Sequence, residues 1–98
     1  MIEGSCLCGG VAWAAEGPFT PMHHCHCSRC RKSHGTPFAT MVGAPKEGFR
    51  FLRGEAEIRC FASGPGSTRP FCGTCGSMVP ESSQDGPSLY VPAASLDG

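Results

Sequence analysis

Eight cysteines are present, and seven fall into three tight clusters: Cys6-Leu7-Cys8, Cys25-His26-Cys27-Ser28-Arg29-Cys30 and Cys72-Gly73-Thr74-Cys75. A gap of one or two residues lets both sulfurs of a pair face one ion, and the thiolate is the ligand form. The two pairs, Cys6/Cys8 and Cys72/Cys75, together supply four thiolates, the usual complement of a closed structural zinc site. The triplet Cys25/Cys27/Cys30 supplies three and leaves a coordination position for chemistry.

The closed set carries its own backbone signals. Cys72-x-x-Cys75 is followed by Gly76, and Cys6-x-Cys8 by Gly9-Gly10. Glycine permits the tight turn that aims amide N–H groups at sulfur. Such a site ties the N-terminus to a point near residue 75. Metal binding of this kind is worth roughly 10–16 kcal/mol in small zinc peptides at neutral pH, against about 5–15 kcal/mol for the whole net stability of a domain. The competing reading is two disulfides or free buried thiols, which a reducing compartment disfavours.

At the open set, strand periodicity puts residues 23, 25 and 27 on one face. Cys25 and Cys27 then point together, and a turn brings Cys30 around. His23 stays on the ligand side, and His34 shares a helical face with Cys30, so either could close the site. The alternative for both is a solvated surface histidine. Cys60 stands alone in an apolar strand and reads as an inert core thiol. Three thiolates on one Zn²⁺ carry a charge of about −1. Arg29, Arg31 and Lys32 surround the triplet in sequence, can offset that charge, and can hold the carboxylates of an anionic substrate.

The elements that position these residues are short. Fourteen Gly and nine Pro disfavour long helices. Strands are predicted over 10–16, with Val11 and Trp13 on one face and Ala12 and Ala14 on the other, then over 22–27, 36–42, 49–52, 55–62 and 88–91. One helical turn is predicted over 28–34, with Ser28 as N-cap and Gly35 as stop. Residues 63–67 read as a loop, 69–71 lead into the last cysteine pair, and 82–87 read as a polar turn.

The chain has 98 residues and a formal net charge of zero. The length suits one domain over residues 1–98, small enough to be helped by a staple. Zero net charge argues against a general nucleic-acid binder. No apolar run approaches a membrane span, and Met1-Ile2-Glu3-Gly4-Ser5 shows no secretory leader. A cytoplasmic location is expected, where clustered thiols bind metal more often than they form disulfides.

Three ordered motifs resemble one family. They are Gly4-Ser5-Cys6-x-Cys8-Gly9-x-Val11, Cys25-His26-Cys27-Ser28-x-Cys30-Arg31-Lys32-x-x-Gly35, and Pro65-Gly66-x-x-Arg69-x-Phe71-Cys72-x-x-Cys75-Gly76-Ser77. Together with Ser95-Leu96-Asp97 they are similar to the glutathione-dependent formaldehyde-activating enzyme (GFA) family. The resemblance implies an all-β fold, a β-tent of short antiparallel sheets. It implies structural zinc on Cys6, Cys8, Cys72 and Cys75, and a second, labile catalytic zinc on Cys25, Cys27 and Cys30. It further implies carbon–sulfur lyase chemistry, run as addition of a small-molecule thiol such as glutathione to formaldehyde or a related aldehyde. Arg29, Arg31, Lys32 and Arg69 are then expected to bind glutathione, with Arg69 in the glycine-rich loop. Family members usually continue past Ser95-Leu96-Asp97, so this chain is short at its C-terminus. The usual Ser-Ser-Pro-Gly loop is Ser63-Gly64-Pro65-Gly66 here. Two other readings compete: a non-catalytic zinc-stabilised interaction module, and a thiol redox protein using the triplet.

Overall fold

The protein is described by a computed structural model covering residues 1–64, 67–82 and 86–97. Pro65 and Gly66, at the centre of the predicted loop, lie outside the described residues, as do Ser83, Gln84 and Asp85 of the predicted polar turn.

Among the described residues, nine short strands and one α-helix follow in order: β1 (Ile2–Ser5), β2 (Ala12–Ala15), β3 (His23–Cys25), α1 (Ser28–His34), β4 (Ala39–Pro45), β5 (Phe49–Arg53), β6 (Ile58–Gly64), β7 (Ser67–Cys72), β8 (Glu81–Ser82) and β9 (Ser88–Pro92). They pair into a three-stranded sheet β1-β2-β5, a four-stranded sheet β3-β4-β9-β8 and a hairpin β6-β7. Every pairing is antiparallel. The fold is thus all-β apart from α1, as expected.

The main core lies between the first two sheets. Val11, Trp13 and Ala15 meet Val42, Ala44, Leu89, Val91 and Val79, with Cys6 and Cys72 at the margin. Strand β2 is buried on both faces, which explains its run of small residues around one indole. Trp13 is fully buried and packs against Gly4, where an added Cβ would come within 2.7 Å of the ring. Real Cβ atoms do not approach so closely, so glycine lets β1 pass. The chain end returns to this point: Gly4 bridges Leu96, and the Asp97 N–H donates to the Glu3 carbonyl at 2.9 Å.

A second, smaller cluster joins Cys30 of α1 to Ala39 and Met41 of β4, with Cys25 and Tyr90 against it. The sulfur triplet is seated on this cluster.

The structure departs from the sequence reading at several boundaries. Strand β3 ends at Cys25, two residues before its predicted end, because the chain turns there into α1. Strand β4 starts at Ala39 rather than Thr36, consistent with a proline at position 37 that cannot donate to a ladder. Residues 55–57 form a 3-10 turn, so β6 begins only at Ile58. The predicted loop is narrower than expected, since Gly64 pairs with Ser67 across the hairpin. Cys60 was read as a core thiol, but it is exposed. Its strand is exposed over most of its length and among the described residues pairs only with β7, so the apolar alternation there is not matched by burial. Among the described residues no helix is long and apolar enough to cross a membrane.

Candidate metal centres

The closed cluster is built from two similar turns. After β1, Cys6 N–H donates to Val11 O at 3.0 Å and Gly9 N–H donates to Cys6 O at 3.0 Å. After β7, Cys72 N–H donates to Ser77 O at 2.9 Å and Gly76 N–H donates to Cys72 O at 2.8 Å. Gly9 (φ 78°) and Gly76 (φ 80°) occupy the left-handed region that each turn requires. The turns leave amides aimed at sulfur: Val11 N–H to Cys6 Sγ at 3.3 Å and Thr74 N–H to Cys72 Sγ at 3.4 Å.

The four ligand atoms of Cys6, Cys8, Cys72 and Cys75 all lie within 4.8 Å of one another. Cys6 and Cys8 sulfurs are 3.6 Å apart, and Cys8 and Cys72 sulfurs 3.8 Å apart. Four sulfurs placed tetrahedrally about 2.3 Å from one ion would stand about 3.8 Å from each other, so the cluster fits a metal ion. The thiols also compete for protons. The Ser77 hydroxyl and amide draw the Cys75 thiol down to about 5. At Cys8 the Gly10 amide works downward, but the surrounding sulfurs and burial push it up to about 11. A cation among the sulfurs removes that conflict.

The triplet is assembled differently. Cys25 ends β3, Cys27 caps α1, and Cys30 lies inside the helix. Ser28 was the expected N-cap, but the cap is Cys27, whose sulfur accepts the Cys30 N–H at 3.4 Å. Sulfur thereby takes one of the amides a helix start leaves unpaired. Gly35 stops the helix as expected, at φ 65°. The Cys25 and Cys27 sulfurs are 3.6 Å apart, and all three ligand atoms lie within 4.8 Å of one another. This cluster also fits a metal ion. The Cys30 amide, helped by the neighbouring sulfurs, lowers the Cys27 thiol to about 7. Burial and the same sulfurs push Cys30 up to about 12, with Arg69 acting against them.

Neither candidate histidine joins the three sulfurs among the described residues. His23 is exposed and packs edge-on against Tyr90 at 5.8 Å. His34 is half-buried, and burial with the charge of Arg69 lowers its pKa. Arg29, Arg31 and Lys32 are exposed. Arg29 lays its guanidinium over Gly64 of the β6-β7 hairpin, and Arg31 Nε donates to the His26 carbonyl at 3.1 Å. Arg69 differs most from expectation. It sits within β7 rather than in an exposed loop, is only 9% exposed, and pairs with Glu81 at 3.5 Å.

The sequence profile of the glutathione-dependent formaldehyde-activating enzymes matches residues 1–98. The chain belongs to the GFA family. A Halomonas elongata protein provisionally named a glutathione-dependent formaldehyde-activating enzyme is 32% identical over 103 residues, which cover 97% of this chain. The chain spans 64% of that relative's length. A crystal structure of a Rhodobacter sphaeroides protein, a structural-genomics target, superposes with a TM-score of 0.81 at 28% identity, covering 98% of this chain and 88% of the other. The GFA scaffold here therefore carries two cysteine clusters able to hold metal ions.

Two residues of this GFA chain have site roles that spacing alone does not signal. Ser77 accepts the Leu7 N–H at 3.0 Å and is hydrogen-bonded to Cys75 Sγ at 3.3 Å, locking the two knuckles together. The Gly76-Ser77 end of the third motif was its only trace in sequence. Glu81 had none. A cleft of about 570 Å³ opens between Ser33 and His34 of α1, the Ser77 knuckle and the C-terminal turn at Ser95–Asp97.

Proposed function

We propose that the chain is a zinc-dependent carbon–sulfur lyase of the GFA type, joining a small thiol such as glutathione to formaldehyde or a related aldehyde. The observation that carries this is the unequal pair of sulfur clusters, one with four ligands and one with three, in a chain whose family is named for that activity. Cys6, Cys8, Cys72 and Cys75 hold the structural zinc. Cys25, Cys27 and Cys30 would hold the labile one, which would supply ionisation of a substrate thiol at neutral pH.

The chain's own residues complete the reaction. Exposed Arg29, Arg31 and Lys32 form a positive rim that attracts the carboxylates of glutathione. The thiolate sulfur bonds to the aldehyde carbon, the carbonyl electron pair moves to oxygen, and that oxygen takes a proton to give the hydroxymethyl thioether. His34, half-buried at the end of α1 with its pKa lowered, favours the neutral imidazole able to accept the thiol proton and return it to the oxygen. The reverse order cleaves the carbon–sulfur bond. A reducing compartment such as the cytoplasm suits seven thiols kept for metal.

The test is exchange spectroscopy on mixtures of glutathione and formaldehyde. Zinc-loaded protein should accelerate formation and breakdown of S-hydroxymethylglutathione, and Cys30→Ser should abolish the acceleration. Exchange at the uncatalysed rate with fully zinc-loaded protein would reject the enzyme reading and leave the zinc-stabilised interaction module.

A further inference from the structure

Arg69 is nine-tenths buried, and a buried guanidinium requires negative charge beside it. Removing an ion of this kind from water costs several kcal/mol unless it is well paired. Glu81 does not suffice. Its Oε1 stands 3.5 Å from Nη1, beyond the roughly 2.7–2.9 Å of a strong charge-assisted hydrogen bond. Burial also raises the Glu81 pKa despite the arginine beside it. Arg69 Nε has no partner among the described residues. Among the described residues, the other groups beside Arg69 able to carry negative charge are sulfurs, thiolates once they hold a metal ion: Cys30 first, then Cys27. A second contact joins the same two elements, since Arg29, between the cysteines, lies over Gly64 of β6. The β6-β7 hairpin therefore packs against the helix that carries Cys30.

We infer that Arg69 is a positioning residue of the sulfur triplet: a fixed cation, anchored by Glu81, that donates to Cys30 and offsets the negative charge of three thiolates around one metal ion. It is thus part of the metal site's surroundings rather than a mobile clamp for substrate carboxylates. The inference rests on the reading that the triplet takes a metal. Partners of this kind orient ligands and commonly change metal affinity ten- to a hundredfold when removed. Arginine suits the position because its charge persists when buried and its planar fork serves a sulfur and a carboxylate together.

Cobalt(II) titration of the full chain tests this, because sulfur-to-cobalt charge-transfer bands report the ligands directly. Wild type should take two equivalents, the second at the triplet. In Arg69→Met the first equivalent should bind as before. The second should bind ten- to a hundredfold more weakly, with its band at longer wavelength, because the sulfur electrons have lost a neighbouring positive charge. Arg69→Lys should recover most of the affinity. If Arg69→Met does not fold, Arg69→Gln, which keeps a donor without the charge, should show the same band shift with a several-fold loss. An unchanged second equivalent in the folded neutral variant would overturn the inference while leaving the metal reading intact. So would Arg69→Lys no better than that variant. A wild type that takes only one cobalt would remove the metal reading, and the inference with it.

Discussion

The two sulfur clusters differ in what surrounds them more than in what they contain. The closed one is held mostly by backbone, through two glycine turns and amides on Cys6 and Cys72, with the Ser77 hydroxyl bridging the knuckles. It ties residue 6 to residue 75 and borders the main core. The triplet is held by a strand end, a helix cap and a small satellite cluster, with Cys27 exposed and Cys25 half-buried. Its buried charged neighbour among the described residues is a side chain, Arg69. Backbone-built cages are rigid and suit a structural ion. A side-chain-tuned site at the surface, one ligand short, suits an ion that must accept a substrate.

The largest effect should come from breaking the closed cage. Cys75→Ser should lose one zinc and most of the fold, since metal binding worth roughly 10–16 kcal/mol in zinc peptides equals or exceeds a domain's net stability. Zinc content and far-ultraviolet circular dichroism check this. Unchanged zinc and an unchanged unfolding midpoint would undo the structural assignment. The corresponding change in the triplet should be far milder. Cys30→Ser should lose the second zinc and the thiol–aldehyde activity yet stay folded, with a cost of about 1–3 kcal/mol for placing a hydroxyl among Ala39 and Met41. If denaturant titration shows it unfolding as completely as Cys75→Ser, the two sites are not separate in kind.

A smaller effect concerns pH. His34 has its pKa lowered below the ordinary 6.5 by burial and then by Arg69. The unfolded chain therefore binds this proton more readily than the folded one. The neutral histidine's contribution is fully present above about pH 6.5 and is lost as pH falls toward the folded value. The difference in melting temperature between wild type and His34→Gln should thus narrow in that direction on acidification. A difference that stays constant from pH 8 to pH 5.5 would contradict the burial of His34.

The cysteine spacing made both clusters legible, because one- and two-residue gaps constrain where sulfurs can point. Gly35 as helix stop and β9 within one residue of its end were legible for the same reason: the information is local. Arg69, Glu81 and Cys60 were not. Whether a strand residue is buried depends on what layer covers it. The hairpin leaves Cys60 exposed on β6 and buries Arg69 on β7. The cap at Cys27 was missed because propensity favours serine, whereas a sulfur already fixed by its neighbours took the amide first. Trp13 on Gly4 likewise joins two strands whose sequences give no sign of the contact.

The central claim is that one scaffold holds a structural ion and an exchangeable one, and metal counting during graded chelation addresses it most directly. Native protein should carry two zinc ions per chain. A mild chelator should remove one, leaving the circular dichroism native. In the absence of reductant, two of Cys25, Cys27 and Cys30 should then oxidise to a disulfide, with a mass loss of about two daltons. Loss of both ions together with the fold, or a single ion from the start, would contradict the account.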